Sequence, residues 1–156
     1  MKVGSAQATS ITEPPGLARS DGKRPDGLTL FPWEKGRCLV WDFTCRDTLA
    51  SCYVSSTSQE AGSAAAKAEK DKMVHYLELT STFTVMPVAT ETLGSWGPSG
   101  LKFLTEIGSR IAAHTGEKRS TSHLFQRIGV AIQRGNVASI RGTVPNTKIL
   151  TEIYDL

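Results

Sequence analysis

The chain has no run of about 20 apolar residues, the length a membrane-spanning helix needs, and its N-terminus lacks the apolar core of a secretory signal. Both absences point to a soluble, intracellular chain. Cysteine is scarce too: three residues, at positions 38, 45 and 52, lie within or just after one strand-like stretch. That spacing fits neither a disulfide framework nor paired zinc-ligand motifs, so free thiols in a reducing compartment are expected. Charge of one sign is missing as well, because 18 Lys and Arg oppose 15 Asp and Glu for a formal +3. A pI near 8.8 permits a nucleic-acid partner without requiring one. No internal repeat is present, and 156 residues suit one domain with one core, burying roughly two thirds of the unfolded surface.

What is there starts with the run from Arg37 to Cys45, where β-branched and aromatic residues dominate and no Gly or Pro interrupts. It predicts a strand. Alternation sets Leu39, Trp41, Phe43 and Cys45 on one face and Cys38, Val40, Asp42 and Thr44 on the other. A carboxylate in so apolar a strand is costly to desolvate without a partner or a cation. Asp26 supplies a reason for it. It follows a proline and precedes a glycine where the chain turns into the short strand Leu28 to Phe31. Adjacent strands would bring Asp26 and Asp42 together, and a divalent cation would relieve their repulsion. Oxygen-only ligation of this kind suits Mg²⁺ or Mn²⁺.

Residues 64–77 are rich in strong helix formers. At about 100° per residue, Glu69, Lys72, His75 and Tyr76 share one face of this helix, while Lys67 and Lys70 point away. A second strand-like run, Thr82 to Glu91, carries a proline that marks an edge or a bulge. A helix then places Leu101, Leu104, Ile107 and Ile111 on one stripe, with Gly116 as its C-terminal cap. The last helix begins near Ser122, its buried face made of Leu124, Phe125, Ile128, Ala131 and Ile132. Arg127, Arg134 and Arg141 recur every seventh residue, so Arg127 and Arg134 form one stripe that points elsewhere, toward phosphates if DNA is the partner. Glu91, at a strand end, has two readings, a solvated residue or a third metal carboxylate. Residues 1–20 show no apolar period and are expected to form a disordered arm. The domain spans residues 21–142, and residues 143–156 form a tail.

The Pro25-Asp26 pair followed by Asp42-Phe43-Thr44 looks like the PD-(D/E)xK motif, with Thr44 where the lysine usually stands. Together with Lys72 and Tyr76 on the helix, the pattern resembles the restriction-like endonuclease domain C-terminal to the reverse transcriptase in non-LTR retrotransposon proteins. Lys23 to Gly27, Pro32-Trp33, Gly36, Ala68-Glu69, Glu91 to Gly94, Phe125 to Arg127 and Ile132 to Asn136 extend the likeness over residues 20 to 143. It implies an α/β fold with a restriction-endonuclease-like core, a small mixed sheet of three or four strands flanked by helices. It implies as catalytic residues Asp26 and Asp42, holding Mg²⁺ or Mn²⁺, with Lys72 and Tyr76. It further implies DNA as partner, the reverse transcriptase region of a parent polyprotein, a nuclear location, and Met1 as the start of a truncated copy. His75 stands where the family has a second helical lysine, and it joins Arg127 and Arg134 as a candidate nucleic-acid contact. The function expected is metal-dependent nicking of target DNA. The alternative is a catalytically inactive remnant that binds nucleic acid or a protein.

Overall fold

A computed structural model describes residues 9–17 and 24–143. Strands β1 (Ser10–Thr12), β2 (Gly27–Glu34), β3 (Arg37–Arg46) and β4 (Thr84–Glu91) form a mixed sheet in that order. The pairs β1–β2 and β2–β3 are antiparallel, whereas β3 and β4 run parallel. Parallel strands need a crossover. Between β3 and β4 it consists of the single turn α1 (Val54–Thr57), helix α2 (Ser63–His75) and a 3₁₀ turn at Leu77–Ser81. Helices α3 (Pro98–Thr115) and α4 (Ser120–Thr143) follow β4. The expected small mixed sheet flanked by helices is therefore present.

Local chemistry accounts for the joints. Lys35 and Gly36 both take positive φ, 49° and 75°, between the paired Glu34 and Arg37, which is the backbone a two-residue hairpin with the native twist demands. The β2 ladder is interrupted between Leu28 and Pro32. There the buried Thr29 hydroxyl accepts the Leu39 N–H at 2.8 Å and donates to the Phe31 carbonyl at 2.9 Å. Pro87 lies on β4 at the sheet edge, where a missing N–H costs no ladder bond on the open side. Gly116 ends α3 in the left-handed conformation.

The sheet is covered on both faces. Leu39 and Trp41 of β3, Trp33 of β2 and Val88 of β4 pack against Phe103, Leu104 and Ile107 of α3, each full burial worth about 1.5–3 kcal/mol. The guanidinium of Arg110 lies 3.6 Å from the Trp33 ring centre. On the other face α2 packs through alanine: Ala65 and Ala68 meet Ala89 of β4. Helix α4 stacks on α3 and not directly on the sheet, with the Trp96 and Phe125 rings meeting edge-on.

Three expectations need correction. Residues 10–12, assigned to a disordered arm, pair with β2 as an extra strand, so the domain starts before residue 21; residues 1–8, 18–23 and 144–156 lie outside the described region. Leu101 is half exposed, and the α3 core stripe runs through Gly100, Phe103, Leu104, Ile107 and Gly108 instead. Ala131 is exposed, and Leu124, Phe125, Ile128 and Ile132 are only partly buried, because α4 packs mainly on α3, with Trp96 and Thr92 as further contacts.

A buried carboxylate joins these layers. Glu69 of α2 is 3% exposed and accepts the backbone N–H groups of Gly100 at 2.7 Å, Ser99 at 2.9 Å and Ala89 at 3.3 Å. It thereby caps α3, whose first N–H groups have no intrahelical partner. Gly97 is required beside it, since a Cβ there would come within 2.3 Å of the carboxyl carbon. Glu69→Ala would strand two buried donors and one partly buried donor, so a loss of about 3 kcal/mol is expected in urea unfolding, with Glu69→Gln in between. Equal stability of Glu69→Ala and the parent would show that solvent satisfies those groups.

Candidate active site

The pairing of β2 with β3 sets Gly27 opposite Trp41 and Leu28 opposite Val40. Continued by one residue, the same register places Asp26 opposite Asp42. The Asp26 carboxylate takes up the next rung, accepting the Phe43 N–H at 2.6 Å. Gly27 makes this approach possible, because any Cβ there would collide with the Trp41 indole at 2.0 Å. Asp26 is exposed, while Asp42 is 5% exposed.

Asp42 alternates away from the Leu39 and Trp41 face and so points toward α2. Lys72, one helical turn beyond Glu69, forms an ion pair with Asp42 Oδ2. Tyr76, the C-terminal cap of α2, is buried and hydrogen-bonded to the same carboxylate. Burial raises the proton affinity of Asp42 above its ordinary value of 3.8. Lys72 opposes that shift, Asp26 adds to it, and Tyr76 opposes it. The site thus holds one exposed carboxylate, one buried carboxylate and an ammonium facing them, with Tyr76 closing the rear.

The four residues expected to carry catalysis, Asp26, Asp42, Lys72 and Tyr76, are therefore brought together. His75 is half-buried and lies edge-on to the Tyr76 ring, centroids 5.3 Å apart. Arg127 and Arg134 are not part of this assembly: they are exposed on α4, which is stacked on α3 across the sheet from α2. Thr44 lies two residues from Asp42 on the same face of β3. Lys67 and Lys70 face a separate cleft of 540 Å³, lined also by Trp96, Pro98 and Leu101.

A metal fits this donor set in one specific sense. Mg²⁺ is commonly held by one or two carboxylates with water and substrate phosphate completing the shell, and Asp26 with Asp42 supplies the carboxylates. Among the described residues no group of three His, Cys, Asp or Glu side chains is placed to cage a cation. Glu91 in particular is no ligand here. It is fully buried, and its Oε1 accepts the Ala64 and Ala65 N–H groups at 3.0 and 3.4 Å, capping α2; the solvated reading of this residue is overturned with it. Neither Glu69 nor Glu91 was identified as a cap by sequence reasoning, although Gly97 and Gly100 beside the start of α3 were a usable signal.

No protein-family model matches the chain, and no curated protein does. No helix among the described residues is long and apolar enough to cross a membrane.

The raised Asp42 value has a thermodynamic sign. The folded state binds a proton more tightly than the unfolded state, so the contribution of Asp42 to stability is greatest below pH 3.8 and is lost as pH rises through the raised native value. The stability of the parent relative to Asp42→Asn, from urea unfolding between about pH 3 and pH 7, is expected to decline with rising pH. A rise over that range would show that the attraction of Lys72 outweighs burial.

Proposed function

We propose that the protein is a metal-dependent DNA endonuclease that hydrolyses phosphodiester bonds with Asp26, Asp42 and Lys72. The observation that carries this reading is the convergence of an exposed and a buried carboxylate from paired strands with a lysine ammonium from α2. Asp26 and Asp42 would hold Mg²⁺ or Mn²⁺. Once bound, such an ion supplies an activated water and offsets charge on the phosphate.

The remaining work belongs to the chain. Lys72 neutralises Asp42 in the metal-free protein and is available to a phosphate oxygen when a cation assumes that duty. Tyr76 fixes the rear of the site by its bond to Asp42. The half-buried setting of Lys72, with a side chain 27% exposed, strengthens its field relative to a surface lysine. This arrangement supports the likeness to the restriction-like endonuclease domain of non-LTR retrotransposon proteins, with the motif lysine moved from β3 to α2.

One observation favours a second reading. The Lys72–Asp42 ion pair by itself accounts for a carboxylate buried in β3, and Thr44 occupies the usual lysine position. A catalytically inactive remnant with the same core would retain that pair as structure.

Supercoiled-plasmid nicking with Mg²⁺ separates the two. Lys72→Ala is expected to remove most of the activity, at least about tenfold, while Lys70→Ala leaves it intact. Adding Thr44→Lys to Lys72→Ala is expected to restore part of it, because the new ammonium rises on the same strand face as Asp42. In parallel, Mg²⁺ is expected to raise the melting temperature of the parent and not of Asp42→Asn. Absence of nicking, with no Asp42-dependent response to Mg²⁺, would leave only the structural reading.

A further inference from the structure

Helix α4 carries a charge pattern that the site on the other face of the sheet does not use. Over its 24 residues, Ser120–Thr143, there is no Asp or Glu, whereas Arg127, Arg134, Arg141 and His123 are all exposed. At 100° per residue these four fall within a stripe about 40° wide. The side chains that pack, Leu124, Phe125, Ile128, Ile132 and Asn136, centre on the opposite face. Asn136 fixes the azimuth of the helix by donating to the Thr92 carbonyl at 2.7 Å, so the arginines project outward in a defined direction.

Spacing and neighbours indicate what the stripe suits. Seven residues advance a helix by about 10.5 Å, close to the width of about 12 Å between the phosphate walls of a DNA major groove. Exposed Ala131 and Ala138 flank the arginines and leave room for close approach. A membrane-surface helix would present Trp, Phe or Leu beside its cations; here the flanking aliphatics are Val130 and Val137, and the aromatic residue of α4, Phe125, packs on Trp96.

We infer that the outer face of α4 is a sequence-independent binding surface for the backbone of duplex DNA, separate from the catalytic site. The choice of DNA rests on the nuclease reading; the binding surface itself rests on α4. Because α3 and the sheet lie between this stripe and Lys72, the duplex held by α4 is held away from the carboxylates. The helix is a tether that keeps the protein on DNA while the site meets other phosphates.

The test is anisotropy of a fluorescent 20-bp duplex, in EDTA, across a salt series, with the full chain. Three phosphate contacts correspond to a log–log salt slope of about −2.7. Arg127→Gln, Arg134→Gln and Arg141→Gln together are expected to weaken binding at least about tenfold at low salt and to flatten the slope by about 2.7, equally for unrelated sequences. Lys70→Ala, an exposed lysine of α2 outside both the carboxylate site and α4, is expected to bind as the parent does. The exposed arginines make no contact needed for folding, which an unchanged melting temperature checks. Parent-like affinity and slope in the triple variant would overturn the inference. So would failure of the parent to bind duplex DNA, or arginine-dependent binding that favours RNA or phosphatidylserine vesicles over the duplex. Duplex binding that depends on α4 without any plasmid nicking would sink the nuclease reading and leave this surface standing; nicking with α4-independent binding would do the reverse.

Discussion

The orientation of α2 depends on two buried carboxylates that tie it to β4 and α3. Glu91, at the end of β4, receives the first N–H groups of α2, and Glu69, midway along α2, receives the first N–H groups of α3 and one rung of β4. Each charge is offset by oriented backbone donors rather than by a cation, a charge-assisted arrangement at helix N-termini that compensates desolvation. The result is a chain of caps running from strand to helix to helix. With Glu69 anchored, Lys72 lies one turn further along the same face, and its direction toward β3 is determined before any substrate is present.

Asp42 occupies the place where this anchored helix meets the strand pair. Its burial disfavours charge, Asp26 disfavours it further, and Lys72 and Tyr76 restore part of the balance. A carboxylate compensated to that extent remains responsive: under the proposed function, Asp26 and Asp42 would hold a divalent cation that offsets their repulsion, which would free the ammonium of Lys72 from Asp42. A fully satisfied structural ion pair would offer no such exchange. That difference is what would join the local electrostatics to the proposed catalysis.

Much of this was legible in the sequence, and the exceptions have physical causes. The β3 alternation isolated Asp42, the Pro-Asp-Gly turn isolated Asp26, and the helical period put Lys72 and Tyr76 beside each other with Lys67 and Lys70 outside. These are local patterns. Glu69 and Glu91 were not read as caps because carboxylates are ordinarily exposed, and their burial depends on helix ends contributed by residues 26 to 31 positions away in sequence. The Ser10–Thr12 strand escaped for a similar reason: three residues have too little period to mark a strand, and β2 determines their conformation. Leu101 and Ala131 were assigned to buried faces by helical period alone, but whether the margin of a stripe is covered depends on the width of the neighbouring layer.

The alanines on α2 explain how a lysine on a helix can reach a carboxylate of β3. Ala64, Ala65 and Ala68 are almost wholly buried, and two of them lie directly on Ala89 of β4. Small side chains on both surfaces let the helix axis approach the sheet more closely than leucine or phenylalanine would, in the manner of small-residue packing at tight interfaces. Four and seven residues past Ala68 and Ala65, Lys72 is then near enough to β3 to place its ammonium on Asp42, while its stem remains partly covered. A larger residue at position 65 or 68 would lift the helix and withdraw the lysine without altering any residue of the site. Close packing of α2 and the position of the Lys72 ammonium at Asp42 are thus one constraint.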